Sequence, residues 1–167
     1  MGLNEDIERV ALQERELCLP RFGPQVAWEL GTLLKKMAEE RGLSIVIDVR
    51  RFNQPLFYVA LDGTTPDNPE WVRRKTNVVA RYHRSSYGMG LSLKARSQTI
   101  EERGHATADF AAHGGSFPLN VQNAGIVGCV TVSGLPQRDD HELVVEALCI
   151  YLGRSYSDLK LGPEQEG

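Results

Sequence analysis

The stretch Gly125–Ser133, GIVGCVTVS, constrains this chain more than any other. It is a short apolar, β-branched run that ends in Ser133-Gly134-Leu135-Pro136, and it shows little of the alternation of a half-exposed strand. Such a run reads as a strand buried on both faces. Directly before it lies HGGSFPL, a glycine-rich turn that carries His113 and Ser116. Flexible polar backbone pressed against a rigid buried strand is a common setting for a small-molecule site.

The rest of the pattern interleaves helices with strand pairs. Residues 4–17 place Ile7, Val10, Ala11 and Leu17 at helical spacing, and 17–22 reads as a short strand that Pro20 pushes toward a sheet edge. A clear helix follows. Pro24 suits its first position, its apolar face is Val26, Ala27, Leu30, Leu34, Met37 and Ala38, and Gly42 closes it. Residues 44–50 alternate Ile45, Ile47 and Val49 with Val46, Asp48 and Arg50, as a half-buried strand does. With 55–61 they form an antiparallel hairpin turning at 51–54. Asn68 and Pro69 are expected to cap and open the next helix, to Tyr82.

From 85 to 115 the pattern weakens into short helical pieces broken by Gly88, Gly90 and Gly104. Residues 117–121 pair with the buried strand. Asp139 and Glu142 form a D-x-x-E capping box for a last helix, with Val144, Ala147, Leu148, Tyr151 and Leu152 on its apolar face. One domain over 1–154 is expected, followed by a polar tail over 155–167 that frays. This order gives mostly antiparallel strands with helices packed on the sheet, an α+β sandwich of layers.

Composition narrows the functional classes. A chain of 167 residues buries enough surface to need neither disulfide nor metal. Cys18, Cys129 and Cys149 are too scattered for a Cys-x-x-Cys site and read as reduced core residues, which points to the cytoplasm. A net charge of −3 argues against a general nucleic-acid binder. No apolar run approaches the ~20 residues of a membrane helix, and the acidic start lacks a secretory signal pattern. Neither a dinucleotide fingerprint nor a phosphate loop is present.

Lys75 is the strongest local anomaly. It shares a helix face with Trp71, Val78, Val79 and Tyr82, so its ammonium must reach water, find an acid or lose its proton more easily. One outcome is a stem laid over Trp71; the other is a cation directed at a ligand. Arg84, Ser85 and Ser86, beyond the helix end, offer a forked donor and two hydroxyls suited to a carboxylate or phosphate, or else a simple terminating turn. His113 beside Gly114, Gly115 and Ser116 is either a base or metal ligand or a turn histidine bonded to backbone. The histidine spacings form no zinc motif, so no metal site is nominated. Ser116 lacks the G-x-S-x-G elbow of a hydrolase.

Taken together, LFYVALDGTTPDN, PEWVRRK, RYHRSSYGMG, HGGSFPL and the G-x-V-x-V-S-G-L-P strand resemble the haem-degrading-domain superfamily named for GlcG and HbpS and seen at the C-terminus of PduO. Within it, the chain is most similar to a cytosolic single-domain branch with bacterial and fungal members. The resemblance, over about 17–153, implies a profilin-like five-stranded antiparallel sheet with helices on both faces, and assembly into homo-oligomers. It also makes haem a possible cofactor, although no family haem ligand maps onto a residue here.

The expected function is therefore binding of a small anionic or tetrapyrrole-like ligand. The nominated residues are Lys75, Arg84, Ser85 and Ser86 facing His113, Gly114, Gly115 and Ser116. The alternatives are a non-catalytic oligomeric adaptor that recruits another protein and an oxidative haem-degrading enzyme. Whether any reaction is catalysed is not read from these residues.

Overall fold

The computed structural model describes residues 1–165. The chain runs α1 (Leu3–Glu16), β1 (Cys18–Leu19), α2 (Pro24–Arg41), β2 (Val46–Arg51), β3 (Gln54–Ala60) and α3 (Asp67–Tyr82). It continues through α4 (Ser86–Ala95), β4 (Ser116–Val121), β5 (Gly125–Ser133), α5 (Gln137–Leu152) and α6 (Tyr156–Leu159). The strands form one sheet in the order β1-β4-β5-β2-β3, an α+β architecture. All neighbours are antiparallel except the edge pair β1–β4, where Cys18 and Leu19 run parallel to Asn120 and Val121. The sheet is thus mixed rather than wholly antiparallel, because α1 delivers β1 to the edge in the same direction as β4.

β5 lies at the sheet centre, between β4 and β2. One face of the sheet carries Ile47, Val49, Phe117, Leu119, Val130 and Val132 into a core completed by the apolar sides of α2 and α5. Burying a side chain of this size contributes roughly 1.5–3 kcal/mol. α3 covers the opposite face, packing on β5, β4 and β2. That cover makes Val46 and Asp48 fully buried, so β2 is enclosed on both sides and not half-buried as its alternation implied.

The face under α3 is polar. Asp48, Ser116, Cys129 and Thr131 are all fully buried, and Thr76 of α3 meets Thr131 at 3.3 Å between hydroxyl oxygens. Thr131 donates to the Ser116 hydroxyl at 2.8 Å, and Arg50 holds both Asp48 oxygens at 2.7 and 2.8 Å. Each buried group thereby finds the partner that burial demands.

Gly88 and Gly90 do not break the chain; α4 runs through both. A Cβ at Gly90 would stand 2.3 Å from the Ala112 carbonyl, and one at Gly88 would crowd Val10 and Glu14 of α1. They are contact positions. Gly128 marks a third close approach, where a Cβ would come within 1.9 Å of the Arg50 carbonyl. Gly128→Ala is expected to cost about 1–3 kcal/mol through forced backbone shifts. A urea-unfolding midpoint equal to that of the parent would contradict this packing.

Helix starts differ from the sequence expectation. α3 opens at Asp67, with the Asn68 side chain accepting from the Thr65 amide instead of capping, and α5 opens at Gln137 after Pro136. The 155–167 tail does not fray over its described part. Leu159 and Leu161 are buried, the Leu159 carbonyl accepts from Gln13 at 2.8 Å, and the Gly162 carbonyl accepts from Arg138 at 2.6 Å. Glu166 and Gly167 lie outside the described residues. No helix among the described residues is long and apolar enough to cross a membrane.

Candidate functional site

The end of β5 turns through Gly134 into α5, and the first turns of α3 lie alongside. Between them opens a recess of about 280 Å³, lined by Asp67, Asn68, Trp71 and Lys75 of α3, His113, the Ser133–Leu135 turn, and Gln137 and Asp140 of α5. Its floor is an ion pair. Lys75 Nζ lies 3.1 Å from Asp140 Oδ2 and donates to the Val132 carbonyl at 3.3 Å, and both side chains are almost wholly buried. Asp140 also accepts the amides of Leu135 at 2.9 Å and Gly134 at 3.4 Å, which ties the turn to the helix start.

Lys75 therefore neither snorkels to solvent nor stands free. Burial pulls its ammonium below the ordinary lysine range and pushes the Asp140 carboxyl above its own, and their mutual attraction offsets part of each shift. Two of the ammonium's three N–H donors are committed to protein atoms, which leaves a third.

Gly115, at φ +139°, packs directly behind Lys75. A Cβ there would lie 2.4 Å from the Val132 carbonyl and 2.7 Å from Lys75 Nζ, in a conformation that other residues rarely adopt. The Gly114 amide donates to Gln137 Oε1 at 3.0 Å and fixes the amide of that side chain. His113 stands at the mouth, its ring edge-on to Trp71 with centroids 5.4 Å apart, and Arg74 covers the same indole at 4.5 Å. Partial enclosure, then Lys75 and Arg74, hold the His113 imidazole below its ordinary pKa, which favours the neutral ring at neutral pH. The ring also borders a second hollow of about 290 Å³ that includes Arg74, Leu93, Ile100 and Phe110.

The nominated residues therefore separate into groups. Lys75 and His113 border one recess; Gly114 and Gly115 lie behind its lining, Gly115 against Lys75 and Gly114 bonded to Gln137. Ser86 and Ser116 lie in the fully buried layer beneath, where the Ser116 amide donates to the Ser86 hydroxyl at 3.0 Å. Ser85 caps α4, its hydroxyl accepting from Gly88 at 3.0 Å. Arg84 does not face Lys75; it lines a separate hollow with Tyr82 and Arg96. His83 takes the left-handed conformation at the end of α3 and turns the chain away from the recess.

Asp140, Gln137, Asn68 and Asp67 were missed. The expected cap rests on Asp139 and Glu142 and gives Asp140 no role, because the burial of Asp140 depends on how α5 docks. Among the described residues, no three of the His, Cys, Asp and Glu side chains cluster as a metal site.

The family model for the haem degrading protein HbpS-like family matches residues 22–149. The chain belongs to this family. It is 59% identical over 162 residues to the UPF0303 protein of Acidobacterium capsulatum, which covers 96% of this chain and 98% of the relative. Among solved structures, the Ybr137w protein superposes with a TM-score of 0.82 at 28% identity, over 88% of this chain and 87% of that one. A PduOC:heme complex superposes at 0.62 with 12% identity, over 79% and 94%, which shows a shared fold alone. The layered sheet is thus shared at low sequence identity, so the fold alone does not fix the chemistry, which rests on the side chains described above.

Proposed function

We propose that this HbpS-like chain binds a small carbonyl compound or a singly charged carboxylate in the recess between α3 and α5. The carrying observation is the excess of hydrogen-bond donors around a charge-paired floor. Lys75 retains one N–H, the amide nitrogens of Gln137 and Asn68 have no protein acceptor among the described bonds, and His113 has no hydrogen bond there at all. Asp140 has both oxygens occupied. Donors without acceptors call for an oxygen-rich ligand. Asp140 neutralises Lys75 and Asp67 stands at the rim, so one negative charge suits the recess better than two.

The size argues against a whole tetrapyrrole. About 280 Å³ lies below the roughly 300–1,000 Å³ that enclose drug-sized ligands. Of the residue types that ligate haem iron, only His113 lines the recess. The haem-degrading reading therefore finds no support in this recess. The exposed Trp28 of α2 and Ile150 of α5, at 60% and 52%, support an assembly surface on that side, for a second copy or a protein partner.

Isothermal titration with pyruvate, acetate, citrate and haemin tests the reading. Pyruvate or acetate is expected to bind, with His113→Ala or Gln137→Ala weakening the affinity by about tenfold, as loss of a hydrogen bond to a charged group does. Binding of haemin alone, or monocarboxylate binding unchanged in both variants, would overturn it.

A further inference from the structure

A separate hollow lies where the end of α3 meets α4. About 200 Å³ in volume, it is bordered by Tyr82, Arg84, Met89, Ser92, Arg96 and Arg103. Three arginines line it, and among the described residues none of the three forms an ion pair. Arg41, Arg50, Arg138 and Arg154, by contrast, each hold a carboxylate.

The contacts of the three arginines are weak. Arg84 reaches the Gly88 carbonyl at 3.4 Å and Met89 Sδ at 3.9 Å, distances at the long end for hydrogen bonds. Arg103 lies over the Tyr82 ring, 5.7 Å from its centroid. Neither Arg96 nor the Ser92 hydroxyl has a side-chain partner among the described bonds. Tyr82 is fixed in the wall, its hydroxyl 2.6 Å from His105 Nε2. The nearby Glu102 is turned to the Thr99 amide at 3.1 Å, within its own turn.

Arg96 directly follows α4, and Arg84 lies two residues past α3, so helix carbonyl ends attract both. That attraction explains an arginine at each end. It does not explain three lining one hollow in a chain of net charge −3. Mutual repulsion of the three cations falls when a multiply charged anion enters, and forked guanidinium donors match tetrahedral oxyanions in geometry as well as charge. The geometry points to a phosphate-type dianion, free or as the phosphoryl group of a small monoester, held by Arg84, Arg96 and Arg103 with the Ser92 hydroxyl. The site is independent of the Lys75 recess and prefers the doubly charged ligands that the recess disfavours.

The test is titration of the full chain with inorganic phosphate and with glycerol 3-phosphate, against sodium chloride at equal ionic strength. Both phosphates are expected to bind and raise the melting temperature where chloride does not. Tighter binding of the ester identifies a monoester site, and equal binding identifies free phosphate. Arg96→Gln/Arg103→Gln, two exposed positions that leave the core intact, is expected to weaken binding by about tenfold or more. Gln137→Ala is expected to leave it unchanged. Equal effects of phosphate and chloride would overturn the assignment, as would undiminished phosphate binding in the double variant. Dissociation of an oligomer by that variant, with no phosphate binding in the parent, would overturn it too and reassign the arginines to a contact between copies.

Discussion

Asp140→Ala should destabilise the fold by about 3–5 kcal/mol, the usual consequence of leaving a buried charge without its partner. In a domain of this size that corresponds to a fall in melting temperature of roughly 6–20 °C. The ammonium of Lys75 would remain within the protein with only the Val132 carbonyl to accept from it, and the amides of Gly134 and Leu135 would lose their acceptor. A second substitution separates the charge effect from the lost amide bonds. Lys75→Met in the Asp140→Ala background removes the stranded cation, so about 2 kcal/mol or more should return. If the two substitutions prove additive in urea unfolding, the pair does not act as a unit and the floor of the recess has been misread.

Acid should unfold this protein through His141. The ring is almost fully buried, tilted against Tyr87 with centroids 4.9 Å apart, and its Nε2 lies 2.7 Å from Gln13 Oε1. The Gln13 amide nitrogen already donates to the Leu159 carbonyl and approaches Glu142, so the network assigns the His141 proton to Nε2. Nδ1 is left without a partner. Burial, with Arg138 nearby, lowers the His141 pKa to about 3. The depressed value means that the unfolded chain binds a proton more readily than the folded one. Stability from this residue is full above about pH 6.5 and is lost as the pH falls toward 3, by about 3 kcal/mol at pH 4. His141→Gln keeps a donor for Gln13 but cannot titrate, so its stability should decline less between pH 6.5 and 4 than that of the parent. Parallel stability–pH curves would assign acid lability to other groups.

The two histidines show where sequence reading succeeds and where it stops. By its place in the chain His141 reads only as a first-turn residue of the last helix, although its position three residues before Val144 and seven before Leu148 puts it on the buried side of α5, a spacing that could have marked it for the interior. His113 precedes two glycines, and that local composition is enough to single it out. Of the sheet's pairings, β2–β3 and β4–β5 were legible as hairpins because each joins neighbours in sequence; β2–β5, which sets Val46 opposite Ser133, was not. Nor was the β1–β4 contact, since a two-residue parallel pairing between positions 18 and 120 leaves no local trace. Lys75 announced itself as a cation on an apolar face, but its acid lies 65 positions away in sequence. Arg84 was misplaced for a geometric reason: the left-handed backbone at His83 reverses direction, and sequence proximity carries no record of which side of a helix follows such a reversal.

The imidazole of His113 divides two chambers, one polar and charge-balanced, the other walled by Leu93, Ile100 and Phe110. No hydrogen bond anchors this partition among the described contacts, and its edge-on packing against Trp71 is what holds the ring. A molecule lodged on one side pushes the ring toward the other and alters the room left there. Two weak fragments chosen for opposite chambers would compete or cooperate through that ring, and a tether passing beside it would join them into a single probe.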